Sequence, residues 1–92
     1  MKIDPDAIPD AEQIFLARKL REARDVEHLL TQAGIDYAIE VEAYARSFLF
    51  GTIRYGAAFY VASAQAPETR RRLLDAGFER GIIEEDHDDG TR

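Results

Sequence analysis

The chain of 92 residues contains no cysteine, so disulfide bonds, thiolate metal sites and cysteine nucleophiles are excluded. This absence is typical of proteins in a reducing compartment. No apolar run approaches the roughly 18 residues of a membrane-spanning helix. The first residues, MKIDPDAIPDAEQ, also lack the apolar segment of a secretory signal. These absences predict a cytoplasmic protein with no membrane partner.

Positive charge is also scarce, because 12 basic residues stand against 18 acidic ones and leave a net charge of −6. Phosphate backbones should repel such a chain, so no nucleic-acid partner is expected. A hydrophobic content of 46% and an aromatic content of 10% are values of globular proteins. A chain of this length fits one small domain with one core.

The two ends of the chain differ in composition from the rest. Aspartate and proline recur in the first dozen residues, which predicts a flexible lead-in over residues 1–12. The acidic, glycine-containing end predicts a disordered acidic tail over residues 86–92. Residues 13–85 are therefore expected to form the single folded domain.

The body of the chain repeats one pattern. IFLA precedes a helical stretch and LLTQAGIDYAIEV, and FYVA precedes a second helical stretch and LLDAGFERGIIEE. Each half is typical of a strand, a helix that stops at Ala-Gly, and a second strand, which together form a duplicated β-α-β unit. Apolar residues at helical spacing form one predicted stripe on each helix, Ala23, Val26, Leu29, Leu30 and Ala33 on the first and Ala66, Leu73, Leu74 and Ala76 on the second. They predict helices over about 21–33 and 67–77, ended by Gly34 and Gly77.

Two such units predict an α+β fold of the ferredoxin-like type. This is a βαββαβ sandwich with an antiparallel sheet of strand order 4-1-3-2 and two helices on one face. IFLA and AAFYVA suit central strands, whereas the alternating DYAIEVE and the charged end of RGIIEE suit edges. The strands leave open which side faces away from the helices, either Phe15, Ala58 and Tyr60 or Ile14, Leu16, Phe59 and Val61. An apolar second face predicts a homo-oligomer, a dimer or a trimer.

The segment Ala43–Gly56 is predicted to be a long connection between strands 2 and 3, longer than a tight hairpin requires. Its SFLF stretch is too apolar to extend into water, so it should cover the sheet, enter an interface or shield a ligand. The interface expected here, with another subunit or with a partner protein, uses Phe48, Leu49, Phe50, Phe15 and Tyr60.

Basic residues gather at one end of the predicted sheet. Strands 1 and 2 run parallel in this topology, so the connections that follow them lie at the same end, close to the start of the first helix. Free N–H groups at a helix start favour an anion. The hypothesis is a small anionic ligand bound by Arg18, Lys19, Arg21, Arg46 and Arg54. The alternative is that these side chains pair with the many carboxylates on a solvated surface.

No catalytic or metal-binding residue and no cofactor are predicted. Ser47 and Ser63 lie in no nucleophile motif, and His28 falls off the apolar stripe of the first helix. His87 lies in the acidic tail, where nothing preorganises a metal site. An RNA-recognition motif shares the predicted topology, but RYGAAFYVA has alanine where most of the base-stacking rings would lie.

Two stretches, IFLARKLREARDVEHLLTQAGIDYAIEVE and GAAFYVASAQAPETRRRLLDAGF, resemble the bacterial signal-transducing domain family DUF2007, a domain of unknown function. The likeness covers about Ile14–Glu84 and rests on the LLTQAGI helix end and the later YVAS strand. It implies a ferredoxin-like fold related to the PII nitrogen-regulatory proteins, and no established catalytic residues. In PII proteins the loop between strands 2 and 3 contacts partners, and nucleotide binds near its base between subunits. The loop of this chain lacks a PII signature motif.

The sequence therefore favours a small regulatory or ligand-sensing module that binds a small anionic ligand near the connection between strands 2 and 3. The alternative is a protein–protein interaction domain that uses the apolar connection and the sheet face and binds no small molecule. An acid-base enzyme would need His28 or a carboxylate in a cavity on the sheet face, and no residue pattern marks one.

Overall fold

The computed structural model describes residues 1–47 and 49–84 of the chain. Within these ranges, strands and α-helices follow one another in the order β1, α1, β2, β3, α2. Their bounds are Ala11–Ala17 for β1, Leu20–Gln32 for α1, Ala38–Ser47 for β2, Thr52–Ala62 for β3 and Ala66–Asp75 for α2. Short 3-10 turns cover Pro5–Ala7, Ser63–Gln65 and Glu79–Gly81.

The three strands form one antiparallel sheet in the order β1-β3-β2, and two helices accompany it, so the α+β class is confirmed. The predicted fourth strand is not formed in the described part of the chain. Glu79–Gly81 is a 3-10 turn, and Ile82 makes a single antiparallel bridge to Phe15. The Ile83 N–H donates to the carbonyl oxygen of Ile14 at 2.9 Å. This segment therefore lies along the outer edge of β1 without showing the full order 4-1-3-2.

Both helices begin and end close to the predicted residues. α1 buries Ala23, Val26 and Leu30, which belong to its predicted apolar stripe. The chain leaves α1 through Gly34, with φ of 74°, and leaves α2 through Gly77, with φ of 92°. Glycine adopts this left-handed conformation at little cost, which is why both helices stop there.

The apolar stripe of α2 differs from the prediction at two positions. Ala66 and Leu73 are buried as predicted, but Leu74 and Ala76 are exposed, and Thr69 is buried instead. Positions 66, 69 and 73 follow the i, i+3, i+7 spacing of one helix face. The Thr69 hydroxyl donates to the carbonyl oxygen of Gln65 at 2.7 Å, so its polar group is satisfied within the helix.

The helices cover one face of the sheet, and the core lies between them and the strands. β1 supplies both Ile14 and Phe15 to this core, because its pairing with β3 shifts between Gln13 and Phe15. A bulge of this kind inserts an extra residue and breaks the strict alternation of side chains. Neither of the two predicted sets is therefore correct. The core side holds Ile14, Phe15, Phe59 and Val61, and the register places Leu16, Ala58 and Tyr60 on the other side.

The prediction of a long connection between strands 2 and 3 was wrong, because both strands continue through it as a hairpin. Ser47 pairs with Thr52, so only residues 48–51 join the strands. Gly51, with φ of 63°, supplies the left-handed residue that such a short loop uses. Tyr44, Thr52, Ile53 and Tyr55 are residue types enriched in strands, which suits this pairing.

The hairpin projects beyond the rest of the sheet. β1 ends at Ala17, which pairs with Ala57, so the parts of β2 and β3 that lie past this level have no third strand beside them among the described residues. Residues 41–47 and 49–56 are named the arm; Val41, which pairs with Ala57, lies at its base, and the others lie past that level. It extends from the end of the sheet at which β1 passes into α1.

The first ten residues contact the segment that leads into β2. The N-terminal ammonium donates to the carbonyl oxygen of Ile35 at 2.8 Å. The Ile3 N–H donates to the carbonyl oxygen of Tyr37 at 2.7 Å, and Ile8 is buried. β1 begins at Ala11, inside the range predicted as a flexible lead-in. The tail predicted over residues 86–92 lies outside the described residues.

Candidate functional site

A cleft of about 460 Å³ opens between the first turn of α1 and the turn that follows α2. This size suits a small organic ligand. It is named the basic cleft, because four basic side chains line it together with two carboxylates. These residues are Arg18, Lys19, Arg21, Arg80, Glu22 and Asp25, and Leu16 and Phe78 add apolar surface.

The junction of β1 and α1 brings three of the basic residues together. Arg18 follows the last residue of β1, Lys19 precedes α1 in an extended conformation, and Arg21 lies in the first turn. Lys19 makes no side-chain capping bond, and the Arg18 N–H donates to Glu22 Oε1 at 3.3 Å. The first N–H groups of a helix carry partial positive charge. Backbone and side chains thus contribute positive potential at the same point.

Arg80 is a fourth basic residue of the cleft, and the sequence-based prediction missed it. It lies in the 3-10 turn Glu79–Gly81, which returns the chain toward β1. This turn packs closely against Phe15. A Cβ atom at Gly81 would overlap the Phe15 ring. The spacing of Gly77 and Gly81 around this arginine was the signal for a tight turn rather than a strand.

Carboxylates are also part of the basic cleft, so its potential is not uniformly positive. Glu22 and Asp25, both on α1, line it opposite the turn after α2. Such a mixed lining can hold an anionic group by its basic side chains while the carboxylates accept hydrogen bonds from another part of the same ligand. No catalytic constellation of nucleophile and base is formed by these six side chains.

Two of the predicted ligand-binding residues do not line the cleft. Arg46 and Arg54 lie on the arm, paired with Ile53 and Ala45 respectively. A loop folded back over the end of the sheet would have brought them to Arg18, but the arm carries them outward. Arg18, Lys19 and Arg21 are the predicted residues that the structure does bring together.

The arm exposes apolar side chains. On the side that faces the helices, Val41, Ile53 and Tyr55 are 78%, 44% and 57% exposed, and these residues form the apolar arm face. At the tip, Leu49 and Phe50 are 90% and 79% exposed. Contiguous exposed apolar surface of this kind marks interaction sites.

A smaller cleft of about 250 Å³ lies at the base of the arm and is named the arm cleft. Leu20 and Ala23 of α1 line one side of it, and Val41, Tyr55 and Gly56 line the other. Arg18 and Lys19 border both the arm cleft and the basic cleft. The two surfaces therefore meet at the junction of β1 and α1.

The residues predicted for an interface have different surroundings. Leu49 and Phe50 are exposed at the arm tip, and Phe48 lies outside the described residues. The assignment of Phe15 is corrected, because its ring is fully buried, 6.2 Å from that of Phe59 and 6.0 Å from that of Phe78. The bulge in β1 turns it toward the helices.

The face of the sheet away from the helices is more polar than predicted. Glu42 accepts hydrogen bonds from Gln13 Nε2 and from the Tyr60 hydroxyl, each at 3.3 Å. Burial raises the pKa of Tyr60, and the negative charge of Glu42 raises it further. The guanidinium of Arg18 lies 5.1 Å from the centre of the Tyr44 ring, within the range of a cation–π contact. This face is therefore not a continuous apolar surface that a second subunit would have to cover.

The histidines and the carboxylates outside the basic cleft were also considered as candidate sites. His28 is exposed, as predicted, in a groove of about 620 Å³ between α1 and α2. Within residues 1–47 and 49–84, no group of three or more His, Asp or Glu side chains could hold a metal ion. His87 lies outside these ranges. No helix among them is long and apolar enough to cross a membrane.

No family model matches the chain, and comparisons with curated proteins and with solved structures gave no match. The fold defines a small α+β domain, and the basic cleft and the arm are its candidate functional surfaces.

Proposed function

We propose that the protein is a small ligand-sensing module that binds a small anionic ligand in the basic cleft. The observation that carries this proposal is the convergence of four basic side chains on one cleft in a chain of net charge −6. Like charges held close together repel one another unless counter-charge is supplied. Glu22 and Asp25 supply part of it, and a bound anion supplies the rest.

The lining also defines the ligand's chemistry. A phosphate or carboxylate group suits Arg18, Arg21 and Arg80, because guanidinium groups donate paired hydrogen bonds to such oxygens. Hydroxyl or amino groups elsewhere on the ligand suit Glu22 and Asp25. The apolar surface of Leu16 and Phe78 accepts a ring or a short aliphatic chain. Nucleotides and hydroxylated or amino-bearing organic acids combine these features.

Arg18 provides a route from ligand binding to a response. Its side chain lines the basic cleft and also lies over the Tyr44 ring of the arm. A ligand that engages this guanidinium competes with the cation–π contact, which is worth about 0.5–1 kcal/mol at an exposed site. Ligand binding would thereby change how the base of the arm is held, which is the behaviour of a sensor that contacts partners through the arm.

We also propose that the chain has a ferredoxin-like fold. The bridge at Ile82 and the hydrogen bond of Ile83 lie where the fourth strand of a ferredoxin-like sandwich of order 4-1-3-2 would run. This supports the resemblance to the DUF2007 family and its PII-like fold. In PII proteins nucleotide binds near the base of the loop between strands 2 and 3, and the basic cleft lies at the end of the sheet from which the arm projects.

Isothermal titration with inorganic phosphate, nucleoside phosphates and organic acids tests the anion site. We expect at least one of these anions to bind below millimolar concentration and R80A to weaken that binding about tenfold, because a hydrogen bond to a charged group is lost. R71A is the matched control, since Arg71 is exposed on α2 and does not line the basic cleft. Absence of binding below millimolar across the panel would refute the proposal.

A second function is favoured by the exposed apolar residues of the arm, namely a protein-interaction domain that needs no small molecule. Leu49 and Phe50 at the tip and the apolar arm face are available to a regulatory protein or to a second copy of the chain, in a dimer or a trimer. The double substitution L49S/F50S should leave the thermal unfolding temperature unchanged, because both side chains are exposed. Light scattering should show less self-association in this variant if the partner is a second copy.

A further inference from the structure

We infer that the edge of β3 over residues 52–56 accepts an extended segment of a partner protein in which apolar and acidic residues alternate. This inference rests on the second proposed function, the arm as a protein-binding surface, and specifies its partner. It does not depend on an anion in the basic cleft.

The edge itself is open. β1 pairs with β3 only as far as Ala57, and no residue in the described ranges pairs with β3 on that side from Gly56 to Thr52. Residues 52–55 are exposed and Gly56 is half-buried. Backbone N–H and C=O groups of a strand point alternately to its two sides, so part of this segment's ladder groups face the open edge. Exposed edges of this kind bind extended peptides by strand addition.

The two sides of this edge differ in chemistry. On the helix side, Ile53 and Tyr55 of β3 are exposed apolar residues, and the arm cleft lies at the end of the edge beside Leu20. Arg46 shares this side, but it belongs to β2, one strand away from the open edge. On the other side, Arg54 is exposed, and the guanidinium of Arg18, the residue that follows β1, lies over the Tyr44 ring. Side chains of an added strand alternate between the same two sides. Its apolar residues would pack on the helix side and its acidic residues would lie beside the arginines.

Charge segregation in the sequence selects an acidic partner. From Ala43 to Pro67 the chain contains no acidic residue, and its only charged side chains are Arg46 and Arg54, although the whole chain is strongly acidic. A basic segment would meet like charge at this edge. A second copy docking edge to edge would bring its own Arg54 onto the same side of the joined sheet, where like charges disfavour pairing.

Fluorescence anisotropy with three labelled eight-residue peptides tests the inference on the full chain. The first alternates leucine and glutamate, the second alternates leucine and lysine, and the third contains the residues of the first in two blocks. We expect the first to bind best. R54E should weaken its binding about tenfold and improve binding of the second, because charge attraction at the edge reverses. R71E carries the same charge change on the outer face of α2 and should have little effect on either peptide.

Amide hydrogen exchange locates the bound peptide. The first peptide should slow exchange within residues 52–56, and R80A, which removes a side chain of the basic cleft only, should leave its affinity unchanged. The inference is overturned if the alternating acidic peptide binds no better than its blocked isomer, or if R54E and R71E act equally. It is also overturned if light scattering shows a dimer in which residues 52–56 are protected without peptide. None of these results would decide whether an anion binds the basic cleft.

Discussion

The Nη2 atom of Arg70 lies 2.6 Å from Glu12 Oε2, which joins α2 to β1 through an ion pair largely withdrawn from water. The two side chains are only 11% and 22% exposed. Glu12 Oε2 makes no aligned hydrogen bond, so charge attraction dominates this contact. Arg70 also donates to the carbonyl oxygens of Ile83, at 2.7 Å, and Gln13, at 3.2 Å. The Arg70 side chain therefore holds Ile83 and α2 against the edge of β1.

Removing this arginine should be costly. R70A leaves a largely buried carboxylate without its counter-charge and two carbonyl oxygens without a donor, and we expect the free energy of unfolding to fall by about 3 kcal/mol. R72A is the control, because the pair of Arg72 with Glu68 at 3.0 Å is much more exposed, and its loss should cost less than about 1 kcal/mol. Urea unfolding followed by circular dichroism measures both. Equal costs for R70A and R72A would contradict this account of Arg70.

Stability should fall at alkaline pH because of Tyr37. This residue is buried and donates its hydroxyl to Glu27 Oε1 at 3.1 Å. Burial is the largest cause that raises its pKa above the usual value, and the negative charge of Glu27 adds to it. The folded protein therefore holds this proton more tightly than the unfolded chain. Its contribution to stability is complete below the unfolded pKa of about 10 and is lost as the pH rises through the folded pKa.

The substitution Y37F isolates that contribution. At pH 8 it should cost about 1 kcal/mol, since a hydrogen bond to a carboxylate is lost. Above pH 10 the difference between Y37F and the natural chain should narrow, because the Tyr37 phenol ionises more readily in the unfolded chain, and this ionisation favours unfolding of the natural chain alone. Unfolding free energies measured at both pH values check this. A difference that stays constant or widens with pH would show that Tyr37 is not responsible.

Close packing at Gly81 should make that position intolerant of a side chain. A Cβ atom there would overlap the ring of Phe15, which is fully buried. G81A should therefore destabilise the protein by about 1–3 kcal/mol through overpacking. In the background of F15L, which removes the ring, the same substitution should cost clearly less. Additive costs in the double variant would mean that the backbone of the turn, and not the ring, sets the requirement for glycine.

The contact between Arg18 and Tyr44 predicts a coupling between the arm and the basic cleft. Y44L removes the ring that competes with the ligand for the guanidinium, so an anion that binds the natural chain should bind this variant about two to five times more tightly. Titration calorimetry measures the change. Weaker binding by Y44L would show that the ring supports the site instead of competing with it.

Much of this architecture could be predicted from sequence, and the reasons for the exceptions are physical. The stripe of Ala23, Val26 and Leu30 and the helix-ending glycines are local signals, so the helices were found. The side of the sheet on which each β1 residue lies was not predicted, because a bulge depends on how two strands distant in sequence pair. The arm was mistaken for a loop because an extended hairpin with an exposed apolar face breaks the usual rule that apolar residues are covered.

The residues of the basic cleft were likewise predicted only in part. Arg18, Lys19 and Arg21 are neighbours in sequence at a strand–helix junction, and their proximity could be predicted. Arg80 joins them through a turn that replaces the predicted fourth strand, so its place depends on tertiary packing. Arg46 and Arg54 were misplaced because the direction of the arm is set by strand pairing.

Amide chemical shifts, followed during titration with the tightest-binding anion of the panel, report whether an anion occupies the basic cleft. We expect saturable shifts that concentrate in residues 18–22 and 77–81 and that weaken in R80A. Shifts that are absent, that do not saturate, or that are equally large in R80A would rule out an anion site in the basic cleft.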